Sequence, residues 1–244
     1  MNKKFSELAK KSKVIVIKVG SNILVNEKHV LRKKWLTSLI EDVQKLQKKG
    51  SKIIIVSSGA IALGRNILSK KKLTNLHEKQ AAASIGQIQL SQQWQKAFAK
   101  FNIQSSQILI TAEDLNERRK YLNIRNTIYS LMDLNVVPII NENDTTSTEE
   151  IRFGDNDKLS AMIANALSAE LLILLSDVNG LYTANPKKST DAKLITSVEE
   201  VDQEIEKYID KDLSEFGSGG MLAKINAAKP VSYTHLRAHE TSID

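Results

Sequence analysis

Two nearly continuous runs of β-branched and apolar residues, VIVIKV at 14–19 and KIIIVS at 52–57, constrain the fold of this chain more than any other feature. Runs apolar on both faces belong to strands covered on both sides. Between them Leu36, Leu39, Ile40, Val43 and Leu46 return at helical spacing, and Gly50 follows as a stop signal. Strand, helix and strand in that order make a β-α-β unit. The pattern repeats, with a helix expected over 78–101, a strand over 107–110, a helix over 121–134 and a strand over 136–140. A helix over 158–169, a strand over 171–175 and a loop carrying Tyr182, Asn185 and Pro186 come next. The predicted architecture is α/β, a three-layer αβα sandwich with a mostly parallel sheet. Pro138 counts against a central place for its strand, because proline cannot complete a hydrogen-bond ladder.

With 244 residues and 41% hydrophobic content, the chain can bury one large core or two small ones. It contains no cysteine, which rules out disulfides and thiolate metal sites and fits a reducing compartment. No run of eighteen apolar residues occurs, and the basic start is followed by no signal-peptide pattern. A cytoplasmic protein without a membrane partner is the expectation. The net charge of +7 raises the question of nucleic acid. Its lysines and arginines, as at Lys70, Lys71 and Lys72 or Arg118, Arg119 and Lys120, lack interleaved aromatics and read as solvated faces. No nucleic-acid partner is expected.

In open α/β sheets ligands sit beyond the carboxyl ends of the strands. Four polar or glycine-containing motifs fall at such ends: Lys18 with Gly20 and Ser21, Ser57 with Ser58, Gly59 and Ala60, Asn141 with Glu142, Asn143 and Asp144, and Ser176 with Asp177. Shortly after the third come Gly154, Asp155, Asn156 and Asp157. So many short acids and amides around one turn are costly to hold unless a cation or hydrogen-bonding ligand sits among them. A fifth motif, Gly217, Ser218, Gly219, Gly220, Met221, Leu222, Ala223 and Lys224, precedes a helix-like segment. Glycines at a helix start let backbone N–H groups approach phosphate. The spacing matches neither G-x-x-x-x-G-K-[ST] nor G-x-G-x-x-G. Alone it reads equally well as a flexible loop.

In this order the motifs K-V-G-S, S-S-G-A-I-A-L-G, Q-A-A-A-S-I-G-Q, N-E-N-D, F-G-D-N-D-x-L-S-A, D-V-N-G-L-Y-T-A-N-P and G-S-G-G-M-x-x-K resemble the amino acid kinases over 13–230. N-E-N-D followed by G-D-N-D resembles the branch that phosphorylates the side chain of glutamate. That resemblance implies transfer of the ATP γ-phosphoryl group to the side-chain carboxylate of L-glutamate, the first step of proline biosynthesis. A carboxylate of reference pKa about 4.3 is already ionised at neutral pH. Such chemistry needs no general base, and none of the four histidines lies in a motif.

The resemblance also implies roles. Lys18 and Lys224 correspond to two lysines at the transferring phosphoryl group, and Asp157 to the aspartate that orients both. Ser58, Gly59, Asn141, Asp144 and Asn156 map to the amino-acid site. Lys18, Ser176, Asp177, Ser218, Gly219, Gly220, Met221, Leu222, Ala223 and Lys224 map to the nucleotide side. Magnesium is implied by ATP, which carries it, and no metal ligand is assigned. Proline as feedback inhibitor and a homo-oligomer, dimer or tetramer, are further family expectations. Glu142 and Asp155 receive no role beyond scaffold hydrogen bonds.

Structural readings compete with these. Lys18 could snorkel from an edge strand, Ser58 and Asn156 could cap helices, and Asp177 could merely open a turn. Tyr182 could be a core or rim aromatic. His235 and His239 form H-x-x-x-H-E, not the zinc motif H-E-x-x-H. Other activities within the resemblance are kinases of acetylglutamate, aspartate or UMP; outside it stands a silent ligand- or nucleic-acid-binding relative.

The kinase domain is expected over 1–230, with an amino-acid lobe over about 1–165 and a nucleotide lobe over about 166–230. Residues 231–244 depart from the family pattern and contain no β-rich run. The expectation is a foreign tail, from a frameshift or misassembly, and a nucleotide lobe short of a strand with an exposed sheet edge. Ala223 stands where a serine or threonine is usual, and no further C-terminal domain is read.

Overall fold

The computed structural model describes residues 3–69, 72–147, 155–177, 179–183, 189–196, 198 and 237–241. After a short helix α1 (Lys3–Lys11), strand β1 (Val14–Val19) leads through one turn of helix α2 (Ser21–Leu24) to α3 (Lys33–Gln47) and β2 (Lys52–Ser57). Helices α4 (Ala60–Ile67) and α5 (Leu76–Ala99) precede β3 (Ser105–Ile110). Next come α6 (Ala112–Asn116), α7 (Arg118–Asp133), β4 (Val137–Glu142), α8 (Asp155–Ala166), β5 (Leu171–Leu175) and β6 (Arg237–Thr241). Among the described residues these strands make one sheet in the order β3-β4-β2-β1-β5-β6, with every pairing parallel.

Strand parity divides the core. Ile15, Ile17, Val19, Ile53, Ile55 and Ile173 face one layer, packed against Leu36, Ile40 and Val43 of α3 and Leu90, Trp94 and Phe98 of α5. Val16, Ile54, Val56, Leu172 and Leu174 face the other, against Ile128 and Met132 of α7 and Leu159 and Ile163 of α8. The result is the expected three-layer sandwich. The same parity aims Lys18 at the face covered by α8.

Pro138 lies in β4, which is an inner strand. The N–H groups of Val137 and Asn143 donate toward β3, to Gln104 O and Ile110 O, so the residues at odd positions point to β3 and Pro138 points to β2. The ladder between β2 and β4 pairs only Ile55 with Ile139 and Val56 with Ile140. The missing donor therefore falls just before that ladder begins, which is where an inner strand tolerates proline.

Two expectations need correction. Helix α8 begins at Asp155, not 158, so Asp155, Asn156 and Asp157 form its first turn instead of a preceding loop. The segment expected to lack a strand contributes β6, paired from Leu171 with Arg237 to Leu175 with Thr241, so β5 is not an edge. Apolar content was a poor guide there: an outermost strand is held by backbone pairing and commonly carries charged residues, here Arg237 and Glu240. His239 lies in this strand, and His235 lies outside the described residues.

Candidate active site

The chain leaves β1 for β2 on one side and later returns to place β5 on the other, so β1 and β5 flank the point where strand order reverses. Such points open a crevice at the carboxyl ends of the strands. Gly20 marks it. A Cβ added there would lie 3.4 Å from Leu175 O and 3.5 Å from Lys18 Nζ. Glycine keeps the space beside the ammonium open.

Lys18 Nζ and Asp157 Oδ1 lie 2.8 Å apart, with side chains 8% and 2% exposed. The snorkelling alternative for Lys18 fails, since β1 is an inner strand and the lysine is buried. One turn of α8 reaches three strands. Asp157 meets β1, while Asn156 Nδ2 donates to Ser58 Oγ (2.8 Å) just beyond β2 and to Asn141 Oδ1 (3.0 Å) in β4. A weaker contact from the same nitrogen reaches Ser57 O at 3.4 Å. Asn156 Oδ1 is buried and has no hydrogen-bond partner among the described residues.

Asn141 is 3% exposed and has both ends of its amide engaged. Its Nδ2 donates to Gln87 Oε1 (2.8 Å), and its Oδ1 accepts from Asn156 and from the Glu142 N–H (2.9 Å). Beside it, Gly59 adopts φ +115° and starts α4 with no side-chain cap. Neither Ser58 nor Asn156 caps a helix, which removes that alternative: the Ser58 hydroxyl accepts from Asn156. The N–H groups of the first turn of α4, for which a helix supplies no internal acceptor, border the same cluster.

The seat of α4 depends on two more glycines. A Cβ on Gly64 would lie 1.7 Å from Ala82 O, and one on Gly86 would lie 1.9 Å from Ala60 O. Helices α4 and α5 therefore meet backbone to backbone, a spacing that only glycine permits. Below the site, buried Trp94 donates from Nε1 to Ser57 Oγ at 2.9 Å.

The remaining candidates are more dispersed. Asp144 and Glu142 are half-buried around a turn anchored by the Asn143 N–H on Ile110 O. Ser176 is buried at the end of β5 and Asp177 is exposed. Tyr182 is half-buried and bridges to Leu194 in an antiparallel contact. Ser218, Gly219, Gly220, Met221, Leu222, Ala223 and Lys224 lie outside the described residues. Gln87 and Trp94 went unassigned in the sequence. Gln87 ends the Q-A-A-A-S-I-G-Q motif, and that placement was the one available signal.

The sequence profile of the Amino acid kinase family matches residues 13–235. The chain belongs to that family. It is 51% identical over 221 residues to a glutamate 5-kinase of Pelagibacter ubique, covering 90% of this chain and 60% of that protein. To a glutamate 5-kinase of Nitrosospira multiformis it is 48% identical over 221 residues, covering 90% and 59%. The chain thus spans about 60% of the length of these curated relatives. Its fold is shared with a carbamate kinase of Giardia, at a TM-score of 0.64 and 18% identity over 95% of this chain and 93% of that one.

Proposed function

We propose that this site transfers the γ-phosphoryl group of ATP to the side-chain carboxylate of L-glutamate, the activity for which the relatives at about half identity are named. The observation that carries the reading is the buried Lys18–Asp157 pair sharing one helical turn with Asn156. A phosphate-facing charge and an amino-acid-facing amide are thereby held by the same rigid element.

In this reaction a carboxylate oxygen attacks the γ-phosphorus while the bond to the β,γ-bridging oxygen breaks, giving glutamyl 5-phosphate and ADP. No proton moves on the nucleophile, so the protein's work is positioning and charge neutralisation. Lys18 would stabilise the transferring phosphoryl oxygens in the space Gly20 leaves open. Asp157 holds that ammonium in place. The start of α4, where a helix leaves its first N–H groups without internal acceptors, suits a substrate carboxylate. Asp144 suits the α-ammonium, and Asn156 Oδ1 offers a buried acceptor to the same group.

Lys224 is assigned as the second lysine, and Ser176, Asp177 and 218–223 to the nucleotide side. Among the described residues no group of three or more His, Asp or Glu side chains is placed to hold a metal. Magnesium would arrive with the nucleotide and would supply charge neutralisation at the phosphates, and no residue is assigned as its ligand.

Hydroxylamine traps acyl phosphates and spares phosphoesters, which makes it the deciding reagent. With ATP and magnesium, L-glutamate is expected to give hydroxamate while aspartate and acetylglutamate do not. A folded protein that forms hydroxamate with acetylglutamate or aspartate instead, or with none of the three, would overturn the assignment.

A further inference from the structure

Resting on the glutamate reading above, we propose that Gln87 is a positioning residue for the amino-acid substrate, acting through Asn141 on the carboxamide of Asn156. The hydrogen bonds run head to tail. Asn156 Nδ2 donates to Asn141 Oδ1 (3.0 Å), Asn141 Nδ2 donates to Gln87 Oε1 (2.8 Å), and Gln87 Nε2 donates to Ser91 Oγ (3.2 Å). The Ser91 hydroxyl then donates to Gln107 Oε1 on the outer strand β3. Each amide donates to the next group outward along the chain of bonds.

The consequence appears at the inner end. With Nδ2 committed to Ser58 and Asn141, Asn156 keeps Oδ1 as its remaining function, buried and without a partner among the described residues. A buried carbonyl oxygen in that condition is destabilising until a donor arrives. The donor that the proposed substrate brings is its α-ammonium group. Were the Asn156 amide turned over, an N–H pair would face that cation instead, and donor would meet donor.

Two contacts oppose such a turn. The Glu142 N–H demands an oxygen from Asn141, and Gln87 Oε1 demands its nitrogen. The first is backbone and common to any sequence. The second is a choice of side chain on α5, made at a position where an apolar residue of equal length would fill the space. Linked hydrogen bonds reinforce one another in a low-dielectric setting, so the polarity set at Gln87 is felt at Asn156.

The test compares Gln87→Met, which keeps length and loses both polar atoms, with Gln87→Glu, which keeps an acceptor for Asn141. Gln87→Asn serves as a second variant, since it keeps the amide and withdraws it by one methylene. For Gln87→Met and Gln87→Asn the KM for L-glutamate should rise about five- to tenfold, with kcat and the KM for ATP within about twofold. Gln87→Glu should restore the native KM.

The second readout does not need turnover: the side-chain NH2 resonances of Asn156 in the ligand-free protein, assigned through Asn156→Asp. Exchange of these protons with water should quicken in Gln87→Met and stay slow in Gln87→Glu. Unchanged exchange in Gln87→Met and Gln87→Asn overturns the relay. Altered exchange with an unchanged KM overturns its part in substrate positioning. If the native protein neither binds nor converts L-glutamate, the substrate reading falls and the positioning of that substrate falls with it, while the exchange data still decide whether the relay exists.

Discussion

The ammonium of Lys18 and the carboxylate of Asp157 meet at 2.8 Å in the interior, one near the end of an inner strand and the other in the first turn of a helix. Both depend on strand parity: Val14, Val16 and Lys18 share the face that α8 covers. Removing one member deprives the other of this buried partner, and breaking such a pair costs up to about 3–5 kcal/mol. Lys18→Ala should therefore lower both the unfolding midpoint and the turnover, the latter by orders of magnitude if, as proposed, its charge stabilises the transition state. Lys18→Arg separates the two effects. It keeps a charge for Asp157 and should retain most of the stability, yet place a wider, planar group at the phosphate and still lose much of the rate. Near-native hydroxamate formation by Lys18→Ala would refute the assignment.

Gly64 and Gly86 give a prediction in which two effects have opposite signs. Alanine in a helix interior is favoured over glycine by about 1 kcal/mol. A Cβ on Gly86, however, would sit 1.9 Å from Ala60 O and 2.5 Å from the Gly64 N, and backbone cannot yield as a side-chain tip can. Overpacking typically costs about 1–3 kcal/mol, and this clash is severe. Gly86→Ala should lower the denaturant midpoint and shift the start of α4, raising the KM for glutamate. A midpoint that rises would mean that propensity wins and that α4 and α5 are not in backbone contact.

Trp94 and Ser57 form a buried polar link under the site, the indole N–H donating and the hydroxyl accepting at 2.9 Å. Ser57→Ala strands that N–H in the core, at a cost of about 1–3 kcal/mol. Trp94→Phe removes the donor and leaves the Ser57 hydroxyl its contact to Ser58 O at 3.1 Å. The double variant should be less destabilised than the sum of the two singles, because the second change removes the group that the first left unpaired. Additive losses in urea unfolding would show that the bond contributes nothing.

Strands β1 to β5 and their layering were legible because β-branched runs and helical spacing are local properties, visible in VIVIKV and in the series from Leu36 to Leu46, whereas β6 carries no such run. The motifs at the strand ends were legible as one crevice, since parallel strands place all their carboxyl ends together. What joins those motifs was not. The Asn141–Gln87 bond spans 54 positions and the Asn156–Ser58 bond 98, and no periodicity encodes which amide nitrogen meets which oxygen. The same holds for Gly64 and Gly86, which the sequence shows only as members of two motifs and whose need for glycine emerges once the opposing carbonyl is placed. The first turn of α8 was misread for a different reason: Asp155, Asn156 and Asp157 have poor helix propensity in the interior but favour helix starts, so polarity alone pointed to a loop.

Helix α6 starts on a reciprocal cap between Thr111 and Asp114 that makes stability depend on pH. The Asp114 N–H donates to Thr111 Oγ1 at 3.2 Å, while Asp114 Oδ2 accepts from the Thr111 N–H at 2.8 Å and its hydroxyl at 3.0 Å. The Thr111 backbone N–H, foremost, holds the Asp114 carboxyl below its ordinary value, against partial burial and with help from Lys120 at 3.1 Å. A depressed pKa in the folded state stabilises at pH above the unfolded value of about 3.9, and that stability is lost as pH falls through the folded pKa. Thr111→Ala should cost about 0.5–2 kcal/mol at neutral pH. Asp114→Asn should be less stable than the native protein at pH 7, and the gap should close below pH 4 as the native carboxyl is protonated. Urea midpoints at the two pH values measure this directly; a gap that persists unchanged in acid would show that the ionised form of Asp114 is not what secures the cap.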